Sequence, residues 1–247
     1  DHVHVKSDRP NAYFASRFGN LLDVREDNIS GVAAVIYTLS PFVNMKFGMG
    51  HGRRTADITE RFVYIQPVGM DRYDYIGNPA LKPEQNTQLE LGASARINTV
   101  TLQASVYHSF LSDYISAKAD TTVKKVSADA LGVKRFVNVS SSSMSGFEMS
   151  AWSPIVSGLR LDLSVAYTYG QNRDINEPLP EMSPLSGVVL VRYQQQEEQL
   201  WAELEGRFVA EQSRVSSAFQ EQATPGFAVY SLRGGTQVFN HVGVSTA

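Results

Sequence analysis

Cysteine is absent from the 247 residues, which excludes a disulfide framework and a thiolate metal site. Long apolar runs are absent as well. The longest candidate, Val32 to Leu39, is strand-length and includes Tyr37 and Thr38, far short of the roughly 20 apolar residues that a membrane helix needs. A helical membrane protein is thereby excluded. A membrane β-barrel is not, because each of its strands turns half its side chains to a polar lumen and its mean hydropathy comes out mildly hydrophilic. No Lys/Arg cluster accompanies the net charge of -3, and a nucleic-acid binder needs a concentrated basic face. Helical periodicity hardly occurs.

Period-two alternation takes its place. Leu159, Leu161, Leu163, Val165, Tyr167 and Tyr169 point one way, and Arg160, Asp162, Ser164, Ala166 and Thr168 the other. Val100, Leu102, Ala104 and Val106 oppose Thr101, Gln103, Ser105 and Tyr107. Val43, Met45, Phe47 and Met49 oppose Asn44, Lys46, Gly48 and Gly50. Leu200, Ala202, Leu204 and Phe208 oppose Glu203, Glu205 and Arg207, with Trp201 on the polar side. About ten such strands are expected, each long enough at ~3.3 Å per residue to cross an apolar band ~25 Å high when tilted.

The connections alternate in length. Short turns are expected near Ser40–Phe42, Ile97–Asn98, Ser153–Gly158, Gln195–Glu198 and Asn240–His241, and long polar connections at 7–29, 53–85, 116–134, 171–184 and 211–225. A meander with short turns at one end and long loops at the other is the organisation of outer-membrane barrels. Tyr167, Tyr169, Phe208 and Tyr193 end apolar faces where interfacial girdles would sit. The fold expected is an all-β, antiparallel, up-and-down transmembrane β-barrel. Residues 1–247 form part of that single domain, with apolar side chains on its outer face and next to no helix. A soluble sandwich would give no reason for the sorting of turns and loops. The chain begins in mid-pattern at Asp1 and stops at Ala247 without a cap, so a fragment of a larger barrel is expected.

Three phrases carry a resemblance. Gly77-Asn78-Pro79-Ala80-Leu81-Lys82-Pro83-Glu84, followed by the alternating run from Thr87 to Ala95, resembles the N-P-x-L-K-P-E…E-L-G signature of TonB-dependent outer-membrane receptors. Arg54, Ile58, Glu60 and Phe62 are similar to a strand-end phrase of that family, with Ala56 standing for its usual proline. Leu179 to Gly187 is like the family's P-x-x-P-L-x-G approach to a descending strand, and Arg192-Tyr193 sits where an Arg-Tyr pair is common.

The resemblance implies the C-terminal part of a ~22-stranded barrel filled by an N-terminal plug, without the plug or the final strand, so that the fragment alone would not transport. It implies energised uptake of a scarce metal chelate, iron–siderophore or haem, in the outer membrane of a Gram-negative bacterium, with copper uptake or a passive porin as alternatives. It implies no cofactor beyond the transported chelate. The partners implied are the TonB energy-coupling complex through the plug, the lipid bilayer, and lipopolysaccharide.

The connection 53–85 is the candidate ligand loop. It is the richest of the loops, with Arg53, Arg54, Arg61, Tyr64, Asp71, Arg72, Tyr73, Asp74 and Tyr75; its Arg and Tyr residues suit an anionic, aromatic-bearing chelate through charge-assisted hydrogen bonds and stacking, and Arg53, Arg54, Tyr73 and Tyr75, with His51 at its foot, are the expected ligand contacts. The competing reading is a hydrated loop, or one touching lipopolysaccharide phosphates. Met45, Met49, His51 and Met70 form a soft ligand set that suits copper, although Met45 and Met49 share the parity of the apolar face. His2 and His4 share one face of the first strand without a carboxylate on that face. None of the five histidines stands in a nucleophile context, and Ser140–Ser143 reads as a polar stretch, so no enzyme is expected.

Overall fold

The computed structural model describes residues 2–8, 11–69, 71–195, 200–239 and 242–246. In chain order these form β1 (His2–Lys6), α1 (Ala12–Phe18), a 3-10 turn (Gly19–Leu21), β2 (Asp23–Asp27), β3 (Gly31–Ser40), β4 (Val43–Arg54), α2 (Ile58–Phe62), β5 (Tyr64–Pro67), β6 (Asp74–Ile76), β7 (Glu84–Ile97), β8 (Val100–Ala119), β9 (Val133–Val156), β10 (Leu159–Asn172), β11 (Glu177–Pro178), β12 (Ser186–Gln194), β13 (Leu200–Val209), β14 (Phe227–Phe239) and β15 (Val242–Thr246). Ten of the strands pair in the order β15-β14-β13-β12-β10-β9-β8-β7-β4-β3, each antiparallel to the next. This is the all-β up-and-down meander expected. β1 and β2 form a separate antiparallel ribbon.

The register separates two faces. One row reads Tyr37, Met45, Ala93, Ala104, Met149, Val165, Gly187, Phe208, Ala228 across nine strands. The row one residue along reads Thr38, Asn44, Ser94, Gln103, Ser150, Ser164, Val188, Arg207. Phe47, Leu91, Val106 and Met149 on the apolar face are each about half exposed. An apolar face that wide left uncovered is the surface a barrel presents to lipid. Charges on the opposite face are paired across strands: Lys46 with Glu90 at 3.1 Å, and Glu203 with Arg192 at 3.4 Å and Arg233 at 2.8 Å.

The connections alternate as expected, with tight turns at 41–42, 98–99 and 157–158 and long segments at 55–83, 120–132, 173–185 and 210–226. The expected turns at residues 196–198 and 240–241, and Met70 of the copper set, lie outside the described residues. Two features differ from expectation. The long segments are folded rather than simply polar, with α2, β5 and β6 inside 55–83 and α1 inside 7–29. Strand β9 has 24 residues and β8 has 20; at ~3.3 Å each the former reaches roughly 80 Å, about twice what a ~25 Å band crossed at ~45° requires. The surplus length stands beyond the sheet and carries the loops.

The buried core sits there, in two clusters. Tyr75, Leu81, Ile115, Ala117, Phe136 and Phe219 form one, with Ala56 and Val63. Phe14 of α1 packs with Ile76 and Val133 in the other. Because β6 pairs in parallel with β9, neighbouring residues Tyr75 and Ile76 feed opposite faces of this raised sheet.

Candidate functional site: the loop cap

The phrase Gly77–Glu84 is a clamp. The Asn78 side chain accepts from Ala80 N–H at 3.0 Å and donates to the Phe136 carbonyl at 3.2 Å, which fixes the turn and fastens it to β9. Pro79 offers its carbonyl to Arg61 at 2.9 Å. Leu81 is buried in the cap core. Lys82 exchanges backbone hydrogen bonds with the Asn138 amide at 2.9 and 3.0 Å, and Asn138 also donates to the Asp113 carbonyl at 2.7 Å. Pro83 leads into β7, where Glu84 accepts from Arg54 at 3.1 Å and from Ile115 N–H at 3.1 Å. Gly77 is required by space: a Cβ there would stand 2.5 Å from the Arg61 carbonyl carbon and oxygen.

The phrase around Arg54 completes the clamp. Asp57 caps α2, accepting from Glu60 N–H at 2.7 Å while Glu60 accepts from Asp57 N–H at 2.8 Å, a reciprocal capping box. Arg54 then bridges Glu60 and Glu84. Arg61 is fully buried and satisfied by the Ala56 and Pro79 carbonyls and by Glu26 of β2 at 2.7 Å. Ala56, in the place of a proline, is itself buried.

Further up, Lys134 of β9 is completely buried. It donates to Asp71, and its Nζ lies 3.6 Å from the Phe219 ring centre, 4.4 Å from Tyr73 and 5.9 Å from Tyr75. Burial, and Asp71 after it, push the Tyr75 phenol far above its ordinary range. Burial opposes ionisation of Asp74, but hydrogen bonds from Ser127 and from the Val126 and Ser127 N–H groups outweigh it and hold that carboxyl below the usual range. Asp120 behaves likewise: burial is overcome by Thr122 and Arg135. Glu181 is raised, by burial first and then by Glu221 and Asp71. A cavity of about 280 Å³ opens beside this cluster, lined by Asp57, Glu60, Tyr114, Phe136, Glu181 and Phe219 among others.

The structure sorts the candidate ligand residues. Arg54 has the parity of the polar face and is partly exposed, whereas Tyr73 lies in the connection, partly buried against the cap core. Tyr75 is wholly buried, which corrects its assignment as a surface contact: its strand position turns it into the cap core. Arg53 shares the parity of the apolar face, beyond the band, and donates to the Asp27 carbonyl at 3.1 Å. His51 shares that parity and bonds Thr87 at 2.9 Å. Met45 and Met49 also lie on the apolar face, exposed. Among the described residues no group of three or more His, Cys, Asp or Glu could hold a metal. His2 and His4 pair across the ribbon with Asp27 at 2.6 Å and Asp23 at 2.8 Å. Sequence reasoning missed Lys134 and Phe219, because neither alternation nor motif announces a cation buried in a loop.

A barrel wall of antiparallel strands with a folded cap at its long-loop end is the class these features define. The chain matches the family described as TonB dependent receptor-like, beta-barrel, over residues 1–245, and belongs to it. No curated protein sequence matches. Among solved structures it is similar to the copper transporter OprC, with TM-score 0.75 and 23% identity over 90% of this chain and 33% of that one. It is also similar to a mutant of the ferric enterobactin receptor PfeA from Pseudomonas aeruginosa (0.64; 14%; 91% and 34%) and to the siderophore receptor PirA from Acinetobacter baumannii (0.65; 14%; 90% and 36%). The chain therefore spans about a third of the length of these structures. The family is one of transport receptors in the outer membranes of Gram-negative bacteria.

Proposed function

We propose that this barrel wall serves an energised outer-membrane receptor that takes up a scarce metal chelate, an iron–siderophore or haem, with energy relayed by the TonB complex through a plug in the lumen. The observation that carries this reading is the cap. Long connections are folded together, with their own core and a cavity at the mouth, above a wall whose opposite face is apolar. A passive pore has no need of an ordered, partly closed mouth, whereas selection of a rare solute does. The ligand, in this proposal, meets the cap near Tyr73 and near Arg54, whose guanidinium also bridges Glu60 and Glu84. Arg53 and His51, directed outward, are placed to meet lipopolysaccharide.

Deleting the gene should impair growth under limitation for one metal while leaving uptake of small hydrophilic solutes unchanged. Loss of small-solute permeability instead would favour a porin. Relief by copper rather than by an iron chelate would assign copper as the solute.

A further inference from the structure

The cavity beside α2 has an inner side and a rim of different chemistry. Ile115, Ala117, Phe136 and Phe219 are buried on the inner side, with the half-buried ring of Tyr114, whereas Asp57 and Glu181 are exposed at the rim. No Lys, Arg or His is among the residues that line it. Its carboxylates are not equivalent. Asp57 and Glu60 are committed to each other's backbone N–H groups, and Glu60 to Arg54 as well. Glu181 is left over: among the described residues its carboxylate accepts no hydrogen bond. Its backbone has φ 61°, in the left-handed region that non-glycine residues rarely occupy, and its N–H donates to Glu221 at 2.9 Å, which holds the turn. Residues kept in such conformations cluster at ligand sites.

We propose that this cavity is a subsite for a protonated primary amine carried on an arm of the solute, its ammonium meeting the Glu181 carboxylate and its carbon stem the rings of Tyr114, Phe136 and Phe219. The subsite rests on the reading of the cap as a selecting mouth. The charge balance favours a cation: Glu181 is raised by burial and then by Glu221 and Asp71, and Lys134, the cation that acts on it, does not offset them. An anionic arm would meet Glu181 with no lining cation in return, and a neutral hydroxyl would gain a hydrogen bond without the ionic attraction. The cap already holds one alkylammonium by this chemistry, since Lys134 pairs with Asp71 and its Nζ stands 3.6 Å from the centre of the Phe219 ring. An ammonium has three donors, and strand β8 supplies a further acceptor. Ile115 N–H donates to the Glu84 carboxylate and Ala119 N–H to the Ala218 carbonyl, so alternate residues face away from β9, and the same alternation turns the Ala117 carbonyl toward the cavity. At about 280 Å³ the space falls just short of the roughly 300–1,000 Å³ of pockets that enclose a drug-sized ligand, so it takes one arm rather than a whole chelate.

Binding to the purified full-length receptor tests this, apart from the growth test of uptake. The probes are benzylammonium and benzyl alcohol, alike in shape and different in charge at pH 7, each followed by NMR titration. Benzylammonium should bind at least ~10-fold tighter, the worth of one hydrogen bond to a charged group. Glu181→Gln keeps the size of the side chain and breaks no hydrogen bond of its carboxylate; it should bring the two probes to within about two-fold of each other without weakening benzyl alcohol. Asp129→Asn removes the same charge from an exposed position in 120–132 and should leave the preference intact. Equal binding of the two probes to the unaltered receptor overturns the subsite, with no variant needed. So does a preference that survives Glu181→Gln, because the amine would then sit elsewhere. A preference that Asp129→Asn abolishes overturns it too, because charge at a distance would then account for it.

Discussion

Gly77 and Arg61 show how individual residues decide the cap. A methyl group on Gly77 has nowhere to go but into the Arg61 backbone 2.5 Å away, and overpacking of this kind costs about 1–3 kcal/mol. Gly77→Ala is therefore expected to make the segment 55–83 a preferred site of limited proteolysis while the strands stay resistant. Arg61 is the sharper case. Its guanidinium is buried against Glu26, and removing one partner of a buried pair leaves an uncompensated charge that costs roughly 3–5 kcal/mol, here lessened by the carbonyls of Ala56 and Pro79. Glu26→Ala should loosen the same segment more than Glu26→Gln, which keeps a hydrogen-bond acceptor. Equal proteolysis of the two variants would contradict this account of Arg61.

Among the elements, the raised ends of β8 and β9 matter most, since every long connection rests on them or beside them. The connection 120–132 is tied down by Asp74 and Asp120, both held below the usual carboxylate range. Such groups contribute stability that is fully present above the unfolded pKa of about 3.9 and is lost as pH falls through the lower, folded value. Pepsin should accordingly cut within 120–132 only below about pH 4, whereas the Asp120→Asn variant should be cut there at pH 5. Equal resistance of that variant at pH 5 would show that Asp120 contributes nothing to the loop. The strands themselves were legible in the sequence because a half-buried strand writes its register as alternation, as in Leu159–Tyr169. The family phrases were legible as well, though their physical meaning was not. Asn78, Leu81, Lys82 and Glu84 prove to be clamp residues, and Arg54 spends its charge on Glu60 and Glu84. The helix α2 was hidden because five residues show no period, although the Asp57 and Glu60 pair is a capping box in plain sight. Tyr75 and Lys134 went unread because polar residues in a long connection look solvated until the connection folds.

For the whole molecule, the central claim is that the meander divides lipid from lumen and that the loop cap stands outside the membrane. The chain's lack of cysteine makes single-cysteine variants clean reporters. The most direct measurement is thiol accessibility in intact cells and in purified outer membranes, with Leu91→Cys and Val106→Cys on the apolar face, Gln103→Cys and Ser105→Cys on the polar face, and Arg72→Cys in the exposed part of the cap. A membrane-impermeant maleimide should label Arg72→Cys on whole cells. Spin labels at Leu91→Cys and Val106→Cys should collide with oxygen dissolved in the bilayer and be shielded from a water-soluble relaxer, with the reverse preference at Gln103→Cys and Ser105→Cys. Water-accessible labels at Leu91→Cys and Val106→Cys, or an Arg72→Cys thiol that reacts only after the cells are broken, would contradict the account.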